Sequence, residues 1–190
     1  MKATEPIRDK EQLHQLRMYY FNRGEMRNHL LVNLCLYTAL RISDILNLTS
    51  DDVYDFKNRR VRKSLSLTEK KTGKSKTIAL HKNLLTILSA CFQSAEPGLP
   101  LVRNKRTNKS ISRIQAHRLI HAAAESLGLP QNVSCHSLRK TFGYHAWKSG
   151  VSPVVIMEIY NHSSLSVTRR YLGVTQDDKN IVYLGLDFTL

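Results

Sequence analysis

Six polar side chains stand where an apolar helical pattern has no use for them. Arg41 lies between Leu40 and Ile42, at the edge of an apolar stretch. His136 and Arg139 are three residues apart at a helix start and so share a face. His162 follows Tyr160-Asn161, and Tyr171 comes nine residues later, behind Arg169-Arg170. Lys71 lies at the tip of a lysine-rich turn. Guanidinium is always charged and offers phosphate oxygens a planar fork of donors. Imidazole moves protons near neutral pH. A phenol, with a pKa of about 10, becomes a nucleophile only with a base and a nearby positive field. Singly, each residue also has an ordinary reading. Arg41 fits a helix end, His136 a helix N-terminus beside Ser134 or Ser137, and Tyr171 a core position like Tyr160 or Tyr183.

The elements that must position these residues are legible from periodicity. Residues 10 to 23 and 26 to 40 read as amphipathic helices broken at Gly24, with Leu30, Leu31, Leu34, Leu36 and Leu40 at helical spacing. Residues 42 to 48 continue as a short helix. Residues 52 to 56, 60 to 67 and 75 to 80 read as strands, and EKKTGK between the last two predicts a glycine-centred hairpin turn. Helices are expected again over 82–94, 111–127, 137–149, 153–160 and 164–171. Ser152-Pro153 makes a cap and first-turn pair, and Gly128 and Gly150 are helix stops. The expected fold is mainly α with one small antiparallel β-sheet.

Charge narrows the partner. The 190 residues carry 29 Lys plus Arg against 15 Asp plus Glu, a formal net charge of +14. From Lys57 to Lys82 there are ten basic residues and one acid, Glu69; from Arg103 to Arg118 there are six and none. Two such runs predict a phosphate-tracking surface whose binding weakens steeply with salt. Its candidate members are Arg59, Arg60, Arg62, Lys63, Lys74, Lys76, Arg103, Lys105, Arg106, Lys109 and Arg113. An apolar fraction of 42% supports a packed core and argues against disorder. The longest apolar run is too short for a bilayer, and the polar start lacks a secretory signal's apolar core, so no membrane role is expected. Cys35, Cys91 and Cys135 lie far apart with no CxxC pair, which fits a reducing, cytoplasmic compartment. His117, His121 and Glu125 recur every four residues, but with Arg118 adjacent they read as a surface helix face rather than a metal edge. There is no GxxxxGK[ST] loop and no carboxylate set spaced for two metals.

The constellation resembles the tyrosine recombinases, the phage integrase family. TALRISDILNLTSDDV is similar to the family's first arginine motif, CHSLRKTFGYHAWKSG to its His-x-x-Arg motif, and YNHSSLSVTRRYLGV to the motif holding the second histidine and the tyrosine. EKKTGKSKTIAL resembles its lysine-bearing hairpin, and the likeness covers about residues 10 to 175. It implies that Arg41 and Arg139 clamp the scissile phosphate of DNA, and that Tyr171 attacks phosphorus to leave a 3′-phosphotyrosine. It also implies that His136 is the acid/base partner, that His162 hydrogen-bonds a phosphate oxygen, and that Lys71 protonates the 5′-oxygen. Lys71 is chosen among four hairpin lysines because Thr72-Gly73 follows it. Asp44, one turn after Arg41, would brace Arg41 or a neighbouring side chain. No metal, nucleotide or other cofactor is implied.

Two features depart from the family pattern. Tyr160-Asn161 stands where Leu-Gly is usual, and Asn is the next residue after Gly to accept a left-handed helix end. The catalytic region is expected over 1–175 with residues 1–25 as a lead-in helix, so no separate core-binding domain is expected and the chain resembles short fimbrial-type invertases or a fragment of a longer integrase. That shape implies a multimer, a tetrameric synapse on double-stranded DNA, with an accessory DNA-bending protein, located on the nucleoid. The apolar tail, 176–190, is expected to dock on a neighbouring protomer or to pack on its own core. Competing readings are a non-enzymatic DNA-binding regulator, for which 151–172 mimics a helix-turn-helix, and type IB topoisomerase-like relaxation.

Overall fold

The computed structural model describes residues 4–71, 73–92, 96–130 and 132–187. Thr72, the end of the helix expected over 82–94, and residues 188–190 of the tail lie outside them. Helices α1 (Lys10–Tyr19), α2 (Met26–Thr38), α3 (Ile42–Ile45) and α4 (Ser50–Val53) come first. Strands β1 (Tyr54–Asp55), β2 (Arg60–Val61), β3 (Ser64–Thr68) and β4 (Ser75–Ala79) follow. Then come α5 (Lys82–Cys91), α6 (Arg113–Ser126), α7 (Cys135–Lys148), α8 (Pro153–Tyr160), α9 (Leu165–Leu172) and α10 (Gln176–Gly185). The helix-rich class is as expected. Among the described residues no helix is long and apolar enough to cross a membrane.

The centre of the molecule is α2, buried from Asn28 to Leu36 and at Thr38. A helix buried on all sides must satisfy its polar side chains internally. Asn33 Oδ1 accepts from Arg17 Nε at 3.1 Å, and its Nδ2 donates to the His29 carbonyl at 2.8 Å. Around α2 pack Leu16, Leu65, Leu84, Leu88, Ile120 and Leu138. A second, smaller apolar cluster joins Ala39, Ile156, Tyr160 and Leu172, with Phe142 and Trp147 against it.

Three local departures from the expected elements have clear causes. The strand expected over 60–67 bends at Arg62-Lys63, so Arg60-Val61 pairs back on Tyr54-Asp55 while Ser64–Thr68 pairs with Ser75–Ala79. The result is two separate two-stranded antiparallel sheets rather than one. The strand expected from residue 52 is displaced by α4, because Thr49 and Asp52 form a capping box, with Asp52 Oδ2 accepting from Thr49 N at 2.7 Å. The helix expected from 137 starts at Cys135, since Ser134 caps it together with Ser137. His136 therefore sits inside the first turn of α7.

Two tethers hold the C-terminal helices. Arg8 Nη2 donates to the Gly173 carbonyl at 3.1 Å, so the lead-in segment reaches across to the end of α9. Lys148 Nζ pairs with Asp178 at 2.5 Å, linking α10 to α7. No residue of α10 is buried.

α8 crosses α7 at Gly143. The Tyr160 hydroxyl donates to the Arg139 carbonyl at 2.6 Å, and a Cβ on residue 143 would lie 2.9 Å from Tyr160 Cε2. Gly143→Ala therefore forces ring and backbone apart. The expected destabilisation is about 1–3 kcal/mol, read as a lower urea midpoint at unchanged m-value; an unchanged midpoint would show that the crossing is loose.

Candidate active site

Tyr171 packs against the second apolar cluster and lines an open cleft of about 650 Å³. Arg41, Lys71, His136, Arg139, His162 and Tyr171 all line it, with Lys70, Arg113 and Val167 at its edges. The six side chains come from five separate places in the chain, each at or near the end of an element.

Arg139 is set deepest, at 2% exposure. Its Nη1 donates to the Ala39 carbonyl and its Nη2 to the Tyr160 carbonyl at 3.1 Å. The guanidinium carbon also lies 4.6 Å from the centroid of the Tyr160 ring. These partners are neutral, so the buried charge is solvated but not cancelled, and its field reaches the cleft. Ala39 is the left-handed cap of α2 (φ 53°), which directs its carbonyl toward Arg139 and turns the chain so that Arg41 caps α3. Arg41 Nη1 pairs with Glu69 Oε2 at 2.7 Å, and its Nη2 reaches the Tyr160 carbonyl at 3.4 Å.

Tyr171 lies in the last turn of α9, with its hydroxyl 3.1 Å from His136 Nδ1. Its ring meets the His136 and His162 rings edge to face, at centroid distances of 4.9 and 4.8 Å. Burial raises the phenol pKa, against the pull of the Arg139 and Arg41 guanidinium groups. His136 is pushed below 6.5 by burial and by the nearby Lys140, Arg139 and Arg41. His162 is pushed down to about 4 by burial, with Arg139, Arg41 and His136 adding to it. Both imidazoles are therefore neutral at pH 7. A neutral His136 has a lone pair to accept the phenolic proton. His162 Nδ1 is 3.0 Å from Thr168 Oγ1, which orients the ring and leaves Nε2 toward the cleft.

The turn between α8 and α9 is as the sequence suggests: Asn161 is left-handed, φ 52° and ψ 43°. Asp44, expected to brace Arg41 or a neighbouring side chain, takes a backbone partner. Its Oδ1 accepts from the Lys70 backbone N–H at 3.1 Å, so it fixes the hairpin beside Lys71. Among the described residues the acid on Arg41 is Glu69, which sequence reasoning passed over. The available signal was its standing as the lone acid in the basic run from Lys57 to Lys82.

The basic residues separate into groups. Arg113 borders the cleft itself. Arg59, Arg60, Arg62, Lys63, Lys74, Lys105, Arg106 and Lys109 are exposed, and Arg103 is half-buried. Arg103, Lys105 and Arg106 border a different cavity, beside Gly24–Asn28 and Cys91. Lys76 does not fit the tracking surface. Its side chain is 13% exposed, with Nζ donating to the Ile159 carbonyl at 2.5 Å and lying 3.8 Å from Glu69. The helix-turn-helix likeness over 151–172 also reads differently here, because the Tyr171 hydroxyl opens into the cleft.

Comparisons with known proteins agree with this geometry. The family model described as "Phage integrase family" matches residues 8–177. A probable integrase/recombinase of Bacillus subtilis, YoeC, is 35% identical over 183 residues, which are 96% of this chain and 97% of YoeC. The tyrosine recombinase XerA of Pyrococcus furiosus is 30% identical over 156 residues, 80% of this chain but 52% of XerA. The chain thus spans nearly all of one relative and about half of the other. Among solved structures, a XerA recombinase crystal structure matches with a TM-score of 0.77 at 18% identity, covering 97% of this chain and 66% of that one. A lambda integrase dimer bound to a core site matches with a TM-score of 0.69 at 18% identity, covering 100% of this chain and 51% of that one. Sequence and fold together establish that the chain belongs to the phage integrase family, that of the tyrosine-type site-specific recombinases.

Proposed function

We propose that the chain cleaves and rejoins double-stranded DNA at specific sites through a 3′-phosphotyrosine on Tyr171. The observation that carries this reading is the 3.1 Å approach of the Tyr171 hydroxyl to His136 in a cleft holding two guanidinium groups. The scissile phosphate sits between Arg41 and Arg139, whose donors neutralise the charge that grows on the non-bridging oxygens. The Tyr171 proton passes to His136 Nδ1 as the phenolic oxygen bonds to phosphorus. The P–O5′ bond breaks, and Lys71 gives its proton to the leaving 5′-oxygen. His162 holds a non-bridging oxygen. Because the phosphodiester is exchanged for a phosphotyrosine ester, rejoining is the same path reversed.

Several assembly features belong to the same reading. The exposed basic residues outside the cleft track the duplex. A homo-multimer forms the synapse, an accessory DNA-bending protein supplies grip, and α10 docks on a neighbouring protomer. The support for docking is the tail itself: Ile181, Val182, Tyr183, Leu184 and Leu186 are all more than half exposed, a large apolar face for a segment of this length.

The first test is a suicide DNA substrate nicked beside the cleavage site. Wild type is expected to form a covalent, protease-sensitive adduct and Tyr171→Phe none; an adduct with Tyr171→Phe would remove Tyr171 as nucleophile. Arg139→Ala is expected to lose adduct formation by about 10²-fold or more while keeping most of the salt-sensitive DNA binding. The pH profile follows from His136. Because its folded pKa lies below 6.5, it is neutral at pH 7 and acts as base there. Single-turnover cleavage is then expected to be flat above about pH 7 and to fall as pH drops through the His136 pKa. A rate that rises on acidification would contradict that role. Deleting residues 180 to 190 is expected to leave half-site cleavage intact and to abolish synapsis; a normal multimer from the shortened chain would exclude docking in trans.

A further inference from the structure

Glu69 is fully buried and joins three parts of the cleft through one carboxylate. Its Oε2 pairs with Arg41 Nη1 at 2.7 Å and accepts from Asn161 Nδ2 at 2.9 Å. Lys76 Nζ lies 3.8 Å from Oε1. Its backbone closes the hairpin turn: Glu69 N donates to the Lys74 carbonyl at 3.0 Å, and Gly73 N donates to the Glu69 carbonyl at 2.9 Å. The residues between, Lys70 and Lys71, are thereby fixed to the same peptide unit that carries the carboxylate.

We propose that Glu69 is a positioning residue for strand cleavage, locking the Arg41 fork and the Asn161-His162 turn to the hairpin that presents Lys71. This rests on the phosphate-clamp reading given above for Arg41. An arginine on its own at the mouth of a cleft samples many rotamers, and ordering it costs entropy at each binding event. The ion pair on Nη1, with the Tyr160 carbonyl at 3.4 Å from Nη2, removes that freedom, and the N–H groups these two leave over are able to meet phosphate oxygens. The carboxylate lies behind the guanidinium and has no exposed surface, so it orients the fork without facing the incoming anion. The geometry also gives Asn161 a use beyond its left-handed turn, since glycine there could not supply the amide that reaches Glu69.

The test uses the whole chain with Glu69→Gln, which keeps the shape and removes the charge. Four measurements are made on each protein: circular dichroism for folding, DNA binding, adduct formation on the nicked suicide substrate, and the guanidinium resonances of ¹⁵N-labelled Arg41. The variant is expected to stay folded and to bind DNA within about twofold of wild type. It should form adduct about 10- to 100-fold more slowly, the range that misplaced catalytic geometry produces. The Arg41 N–H signals, slow to exchange in wild type, should broaden or vanish. A wild-type rate overturns the proposal, and so does a slower rate with unchanged Arg41 signals, because the loss would not run through Arg41. Should Glu69→Gln not fold, Glu69→Asp keeps the charge, withdraws the carboxylate by one methylene and is held to the same two criteria. Absence of any adduct from wild type would instead overturn the strand-transfer reading, so the two failures are distinguishable.

Discussion

Taking a guanidinium out of water costs several kcal/mol unless hydrogen bonds replace its hydration, and Arg139 is 2% exposed. The fold meets that cost with the carbonyls of Ala39 and Tyr160, at the ends of α2 and α8. Helix C-termini carry partial negative charge and unpaired carbonyls, so they are natural partners for a cation. Much else follows from this arrangement. α2 must end in a left-handed residue so that its last carbonyl faces inward. α8 must end where its own carbonyl reaches the same cation. α7 must pass close enough to α8 for Tyr160 to lie under Arg139, which excludes a side chain at residue 143. Arg139 is at once the keystone of the second apolar cluster and the main source of positive potential in the cleft.

Burial first, and that potential after it, set the protonation of the neighbouring histidines. In the free protein both cleft histidines are held neutral by burial and by the arginines. A bound phosphate brings negative charge to the same spot and reverses part of the effect. On the proposed mechanism, His162 is then better able to carry a proton toward a phosphate oxygen, while His136 can hold the proton taken from Tyr171. On that reading the site is electrostatically complete only with a DNA phosphate in place.

Much of the fold was legible because local signals and burial agreed. Ser152-Pro153 and Asn161 bracket α8 at its observed bounds. Prediction failed where a short-range polar device outweighed periodicity, as at Thr49-Asp52, where a capping box installs a helix in what reads as strand. The six cleft residues were legible through motif order and spacing. Their support was not, because it is non-local. Glu69 and Arg41 are 28 positions apart, Glu69 and Asn161 are 92, and neither pairing leaves a trace in spacing. Lys76 shows the same limit in reverse. In the hairpin it reads like its solvated neighbours, and only burial against Ile159 and Glu69 distinguishes it.

The tether on α10 gives ionic strength a second point of action. Lys148 and Asp178 form a partly buried ion pair, the lysine side chain 37% exposed and the carboxylate 8%, which salt screens less than an open pair but still weakens. Under the proposed function, added salt weakens the grip on the duplex and also loosens the leash that holds the apolar tail near its own body. For the proposed assembly the two effects pull in opposite directions, since the first releases protomers from DNA and the second frees the segment proposed to join them. On that reading the balance between monomers and assemblies is set by solution electrolyte as well as by DNA sequence, through one contact that links α10 to α7.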